Sequence, residues 1–160
     1  MQYKIVELEE KTVAALSART NNASPEMTGV IGGLWQKFYS PDFCPKLQNR
    51  ADAYALGMYT DYADDENGDY TAAVGCAVTT AEGLPVGFEV ITVPKGKYAE
   101  FVIEGEMDTN AQLAAMGELW QEIWQSGLDR TFICDFEEYR SADPKRADIH
   151  VFIGIKGETE

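Results

Sequence analysis

The chain has 160 residues, 45% of them apolar, enough for one domain or two small halves around a shared core. Its 27 acidic against 13 basic residues give a formal net charge of −14, which argues against a phosphate-binding surface and leaves solubility or the attraction of cations. Direct contact with DNA or RNA is not expected, and three cysteines without CxxC spacing beside a lone His150 argue against a zinc site, so Cys44, Cys76 and Cys134 are expected as free, mostly buried thiols.

Residues 3–8 and 12–20 are short, β-branched or alternating, and read as strands. The opening MQYKIVELEEK has no apolar run flanked by basic residues, and 18 apolar residues nowhere occur together. No signal peptide, spanning helix or membrane contact is therefore expected, and the expected compartment is the cytoplasm. Ser24 before Pro25 and Glu26 marks a helix start, and Pro41 ends the segment, giving a helix over 24–39 with Met27, Ile31, Leu34 and Phe38 as its buried stripe. Gly29, Gly32 and Gly33 each weaken this helix by roughly 1 kcal/mol relative to alanine, which predicts a close approach to its backbone. Residues 41–52 read as a loop.

Strand-like runs over 53–62 and 69–79 flank the acidic ADDENGD, where Asn67-Gly68 signals a hairpin. A calcium loop fails at this place: with Gly68 at the sixth loop position, Ala63 and Val74 fall where carboxylates are required. Residues 82–96 read as a connector with an extended middle. A strand over 97–104 follows, then a helix over 109–126 capped by Asp108 or Thr109 and closed by Gly127. Leu113, Met116, Trp120 and Ile123 fall on one face of it, with Leu119 and Trp124 beside them. Strands over 131–139 and 147–155 complete the chain. An exposed strand 3–8 or 147–155 is a candidate for pairing between subunits, with the oligomeric state left open.

Each half thus reads strand, helix, strand, strand, and LWQ recurs 85 positions apart, as Leu34-Trp35-Gln36 and Leu119-Trp120-Gln121, at the same place in both helices. The expected fold class is α+β: a tandem βαββ pseudo-repeat, about 3–80 and 88–156, with an antiparallel sheet, two helices and a groove between the halves, in one domain spanning 1–160. Pockets tend to sit at such junctions. In CDFEEYR, strand alternation puts Phe132, Cys134 and Phe136 on one apolar face that should cover a helix, and Ile133, Asp135, Glu137 and Tyr139 on the other. A carboxylate among apolar neighbours is costly to bury unless a cation or donors compensate it. Glu137 is thereby a candidate anchor, with Tyr139 pointing the same way. The bland alternative is a half-solvated face on which Asp135 and Glu137 meet water.

The opening YKIVELEEKTVAALSART, the helix IGGLWQKF, DYTAAVG, VPKGKYAEFVIEG, the helix with LWQEIW, and DFEEY followed by ADIHVFIGI together resemble the GyrI-like effector-binding family, the ligand module of AraC- and MerR-type multidrug regulators. Its hallmark, Phe-Glu-x-Tyr on a strand, is matched by Phe136, Glu137 and Tyr139, with Glu138 at the variable position. The resemblance implies an SHS2-type duplication and a central aromatic groove with a glutamate at its floor, where lipophilic aromatic cations are held. Glu137 and Tyr139 carry over to that floor, and Trp35, Phe38, Tyr70, Phe101 and Trp120 to its walls. No helix-turn-helix segment flanks the module between Met1 and Glu160, so a stand-alone binder of aromatic, often cationic compounds is the expected function. Two alternatives follow from the resemblance. One is a hydrolase that opens cyclopropane-containing DNA-alkylating natural products, with Glu137 as general base and Tyr139 positioning water or substrate. The other is a protein partnership of the gyrase-inhibitor kind. No cofactor or metal is implied.

Overall fold

All seven strands read from the sequence form, and an eighth joins them. The computed structural model describes residues 2–156 except Asp42 and Glu66. In chain order the elements are β1 (Lys4–Leu8), β2 (Lys11–Asn21), α1 (Met27–Phe38), a 3-10 turn (Cys44–Lys46), β3 (Ala55–Thr60), β4 (Asp69–Ala77), β5 (Glu89–Val93), β6 (Gly96–Glu106), α2 (Thr109–Gln125), β7 (Arg130–Tyr139) and β8 (Arg146–Ile155). The added strand β5 is the extended middle of the connector, recruited by antiparallel pairing with β2 from Lys11↔Val93 to Ala15↔Glu89.

The strands make one curled antiparallel sheet in the order β1-β6-β8-β7-β3-β4-β2-β5. That order is its own mirror when the halves are exchanged. Strands β1 and β5 are related by a spacing of 85, as are β2 and β6, and so are Leu34 and Leu119. Carrying the ladder registers across the same two-fold relates β3 to β7 by 80 and β4 to β8 by 77. Each half therefore contributes a ββαββ unit whose first strand crosses over to pair with the other half. Strand β8 lies inside the sheet between β6 and β7 and offers no open edge, whereas β1, paired with β6 on one side, and β5, paired with β2, form the two edges of the sheet.

Both helices lie on one face. Leu34 and Phe38 of α1 pack on Ala14, Leu16, Ala72 and Val74, while Leu119 and Ile123 of α2 pack on Ala99, Phe101, Ile149 and Val151. Cys134 and Phe136 point to the opposite face, which curls onto itself: Phe136 stacks on Phe152 at 4.8 Å and meets Tyr98 edge-on at 5.8 Å. The expectation that this face covers a helix is thus corrected. The helices cover the Glu137 face instead, because the curl lets Cys134 and Phe136 bury themselves against Leu56, Met58 and Val13 without help. Phe132 departs from alternation altogether. Its φ of 55° belongs to an irregularity between Arg130 and Asp135, where five steps along β7 oppose two along β8.

Two helix expectations also change. A Cβ on Gly29, Gly32 or Gly33 would meet open space, so nothing approaches the α1 backbone there, and these glycines sit on its exposed side. Leu113 is 67% exposed rather than part of the α2 core stripe. Asp108 does cap α2, its carboxylate accepting from the Ala111 amide at 2.8 Å, and Gly127 ends it with φ of 76°. The cysteines are free, Cys76 and Cys134 buried and Cys44 partly so. Burial pushes the Cys134 thiol up to about 12 and Cys76 to about 11, which keeps both protonated and unreactive. No helix of the described residues is long and apolar enough to cross a membrane.

Candidate functional site

The two halves meet where β3 pairs with β7, and there Gly57 is the register partner of Glu137. The spacing of 80 makes these two positions equivalent, so the pseudo-two-fold passes between a carboxylate and a residue with no side chain. A Cβ on Gly57 would lie 3.2 Å from Glu137 Oε1 and 3.4 Å from the Trp35 ring. The missing side chain is the space the carboxylate uses. Gly57→Ala is expected to press on Glu137 and the Trp35 ring and to lower Tm by a few degrees, which thermal melting would measure.

Glu137 is 3% exposed and both its oxygens accept hydrogen bonds. Oε2 accepts from the Tyr59 hydroxyl and from the Trp120 indole N–H, each at 2.9 Å, and Oε1 accepts from the Tyr139 hydroxyl at 2.6 Å. Burial raises its pKa, and the three hydrogen bonds, from Tyr139, Trp120 and Tyr59, only partly oppose the rise. Burial, followed by the Glu137 charge, pushes Tyr59 and Tyr139 well up, and Tyr70 to about 12.

The surrounding rings repeat across the two-fold. Tyr59 meets Trp120 edge-on at 5.3 Å and 79°, and its counterpart Tyr139 meets Trp35 at 5.2 Å and 88°. Trp120 lies 6.3 Å from Trp124, and Trp35 lies 6.0 Å from Tyr39. Each tyrosine contacts the tryptophan of the other half, so the carboxylate is enclosed by rings from both repeats.

On one side of this cluster lies a cavity of about 220 Å3. Tyr59 and Trp120, which both donate to Glu137, line it, whereas Glu137 itself does not. Tyr62, Tyr70, Trp124 and Arg130 also line it, with Met27 and Ile31 of α1 and Asn22 just after β2. The Tyr70 ring lies between Tyr59 and Tyr62, 5.8 and 5.7 Å away, its hydroxyl donating to Asn22 Oδ1 at 2.7 Å.

Of the residues expected from the sequence, Glu137, Tyr139 and Trp120 come together, Tyr70 lines the cavity, and Trp35 reaches the cluster through Gly57 and Tyr139. Phe38 and Phe101 do not belong. Phe38 is wholly buried under α1, edge-on to Phe88, and Phe101 packs beneath α2 with its ring against Tyr3. Their helix- and strand-periodic positions point them into the core rather than toward the junction. Asp135 and Glu137 do not meet water, since Asp135 is 0% exposed. It accepts from Arg130 at 2.7 Å, from the Tyr62 hydroxyl at 2.5 Å and from the Gly154 amide at 2.8 Å. Tyr62 and Arg130 are site residues that sequence reasoning missed, while Tyr59 and Trp124, two of the abundant aromatic residues suited to a groove, were not singled out as its walls. The signal for Tyr59 was its equivalence to Tyr139, hidden because the loop from helix to third strand differs in length by five residues between the halves.

The Cass2 family, described as integron-associated effector binding protein, matches residues 4–155. YobU of Bacillus subtilis (strain 168), whose name assigns it provisionally to the transcriptional regulators, is 34% identical over 157 residues, covering 95% of this chain and 96% of its own. Among solved structures, the integron cassette protein VCH_CASS2 from the mobile metagenome of Vibrio cholerae is 31% identical with a TM-score of 0.75, covering 96% of this chain and 95% of that one. SAV2435, solved bound to tetraphenylphosphonium, shares the fold at 21% identity and a TM-score of 0.78, covering 98% of this chain and 95% of that one. With nearly its whole length matched, the chain belongs to the Cass2 family of effector-binding proteins, within the GyrI-like effector-binding domains.

Proposed function

We propose that this protein captures single, ring-bearing cations in the cavity beside Glu137. The observation that carries this reading is a buried carboxylate whose hydrogen-bond donors among the described residues are all neutral, two of them, Tyr59 and Trp120, lining the cavity. Enclosed in this way, a carboxylate is held in its charged form at a cost, as the raised pKa expresses, and a cation brought close offsets that cost. The tyrosine and tryptophan faces add cation–π attraction of about 0.5–2 kcal/mol, and their width suits flat ring systems. A relative of the same fold solved with tetraphenylphosphonium fits this chemistry.

Hydrolysis, with Glu137 as general base and Tyr139 as its helper, gains no such support. Both carboxylate oxygens already accept from side chains, an arrangement suited to a counter-ion rather than to a base facing a water. A gyrase-type partnership rests on no feature of the site.

All three tryptophans of the chain, Trp35, Trp120 and Trp124, lie at this cluster, so intrinsic fluorescence reports on it alone. Titration with the planar cation N-methylquinolinium is expected to change that fluorescence saturably, and neutral quinoline to do so only at much higher concentration. Equal response to both, or no saturable response to either, would sink the proposal.

A further inference from the structure

Two buried carboxylates stand two residues apart on β7, each bonded to residues that line the same cavity, and they are compensated differently. Asp135 is bound to the Arg130 guanidinium at 2.7 Å. Glu137, among the described residues, is bound to two tyrosine hydroxyls and an indole N–H and to no cation. Among the described residues that line the cavity, Arg130 is the only charged one. Its guanidinium carbon lies 4.3 Å from the centre of the Phe132 ring, 5.9 Å from that of Trp120 and 6.0 Å from that of Tyr62. A cation over aromatic faces with a carboxylate at its side is the same recognition scheme proposed for the ligand, built from the chain's own residues.

We propose that Arg130 is a specificity-determining residue: a resident cation that matches Asp135 and so limits the cavity to ligands carrying one positive charge. This rests on the function proposed above. Two carboxylates and one guanidinium leave a deficit of one charge, which a monocation fills once Glu137 is ionised. Among the described residues that line the cavity, none is anionic and able to partner a second positive charge on the ligand. Such a charge must either displace Arg130 from Asp135 or stand beside a like charge in a site with little water, and both are costly. The position of Arg130 at the start of β7, 6% exposed and held against Asp135 across the irregular stretch that ends at that residue, keeps it from turning outward to make room.

The test compares N-methylquinolinium with the flat dication methyl viologen by isothermal titration calorimetry. Wild-type protein is expected to bind the monocation at least tenfold more tightly. Arg130→Met removes the guanidinium and keeps much of the stem, leaving Asp135 to be matched by the ligand, and is expected to move the ratio at least tenfold toward the dication. Arg130→Met combined with Asp135→Asn restores the deficit of one and with it the preference for the monocation, as does Arg130→Lys, which keeps the charge. Should Arg130→Met fold poorly, methyl viologen is expected to raise its Tm more than N-methylquinolinium does, a readout that needs only partly folded protein. An unchanged ratio in Arg130→Met, with Glu137→Gln still weakening the monocation in an otherwise wild-type chain, overturns the role of Arg130 alone. A wild-type chain that binds neither probe overturns it together with the function on which it rests.

Discussion

Replacing Glu137 by glutamine is expected to cost about 2–3 kcal/mol of binding to N-methylquinolinium, or roughly 30- to 150-fold in affinity, with quinoline binding almost unchanged. The substitution suits the site geometrically. The amide oxygen can accept from Tyr59 and Trp120, and the amide nitrogen can donate to the Tyr139 hydroxyl, which only has to reverse its proton. The loss therefore isolates charge from shape. The ligand-free protein is expected to respond in the opposite sense. Burial raises the Glu137 pKa from an ordinary 4.5, so the folded state holds this proton more tightly than the unfolded chain does. The stabilising contribution is fully present below the ordinary value and is lost as pH rises through the folded one. At neutral pH the glutamine variant, spared that loss, should melt no lower than wild type. Affinity for a fixed cation should climb with pH across the same window and level off above it, while the glutamine variant stays flat. A cation affinity that ignores both the substitution and pH would remove Glu137 from the site.

The second large effect is on stability. Asp135→Ala strands the buried Arg130 guanidinium, the Tyr62 hydroxyl and the Gly154 amide together. Removing one partner of a buried ion pair costs about 3–5 kcal/mol, which for a chain of this size is a fall in Tm of roughly 6–20 °C. Asp135→Asn, still able to accept from one donor and to fill the same volume, should lose markedly less. A melting temperature within a few degrees of wild type for Asp135→Ala would mean that Arg130 finds solvent or another acceptor, and that this pair does not hold the cavity wall.

Much of this was legible in the sequence for a definite reason. The repeated Leu-Trp-Gln fixed the equivalence of α1 and α2, and alternation in CDFEEY put Asp135, Glu137 and Tyr139 on one face, because both signals depend on periodicities that tertiary packing leaves intact. The extended conformation of β5 was legible but its place in the sheet was not, since pairing between Glu89–Val93 and β2 bridges the halves and leaves no local mark. The covering of each sheet face was inverted because curvature is a property of the whole sheet, and only curvature lets Phe136 and Phe152 bury each other. Among the aromatic residues, ring character alone did not separate Phe38 and Phe101 from Tyr59 and Tyr62. Hydroxyl groups made the difference, since rings facing a carboxylate at the junction need a donor and rings in the core do not.

The glycine facing Glu137 carries a consequence for how such a protein can be built. Two identical half-length subunits would present the same residue on both sides of their axis. Glutamate twice would crowd two acids into one unhydrated gap, where one must stay protonated, and glycine twice would leave no anchor. Only a fused tandem, free to differ at one position of the seam, can set a single acid against an opening made for it.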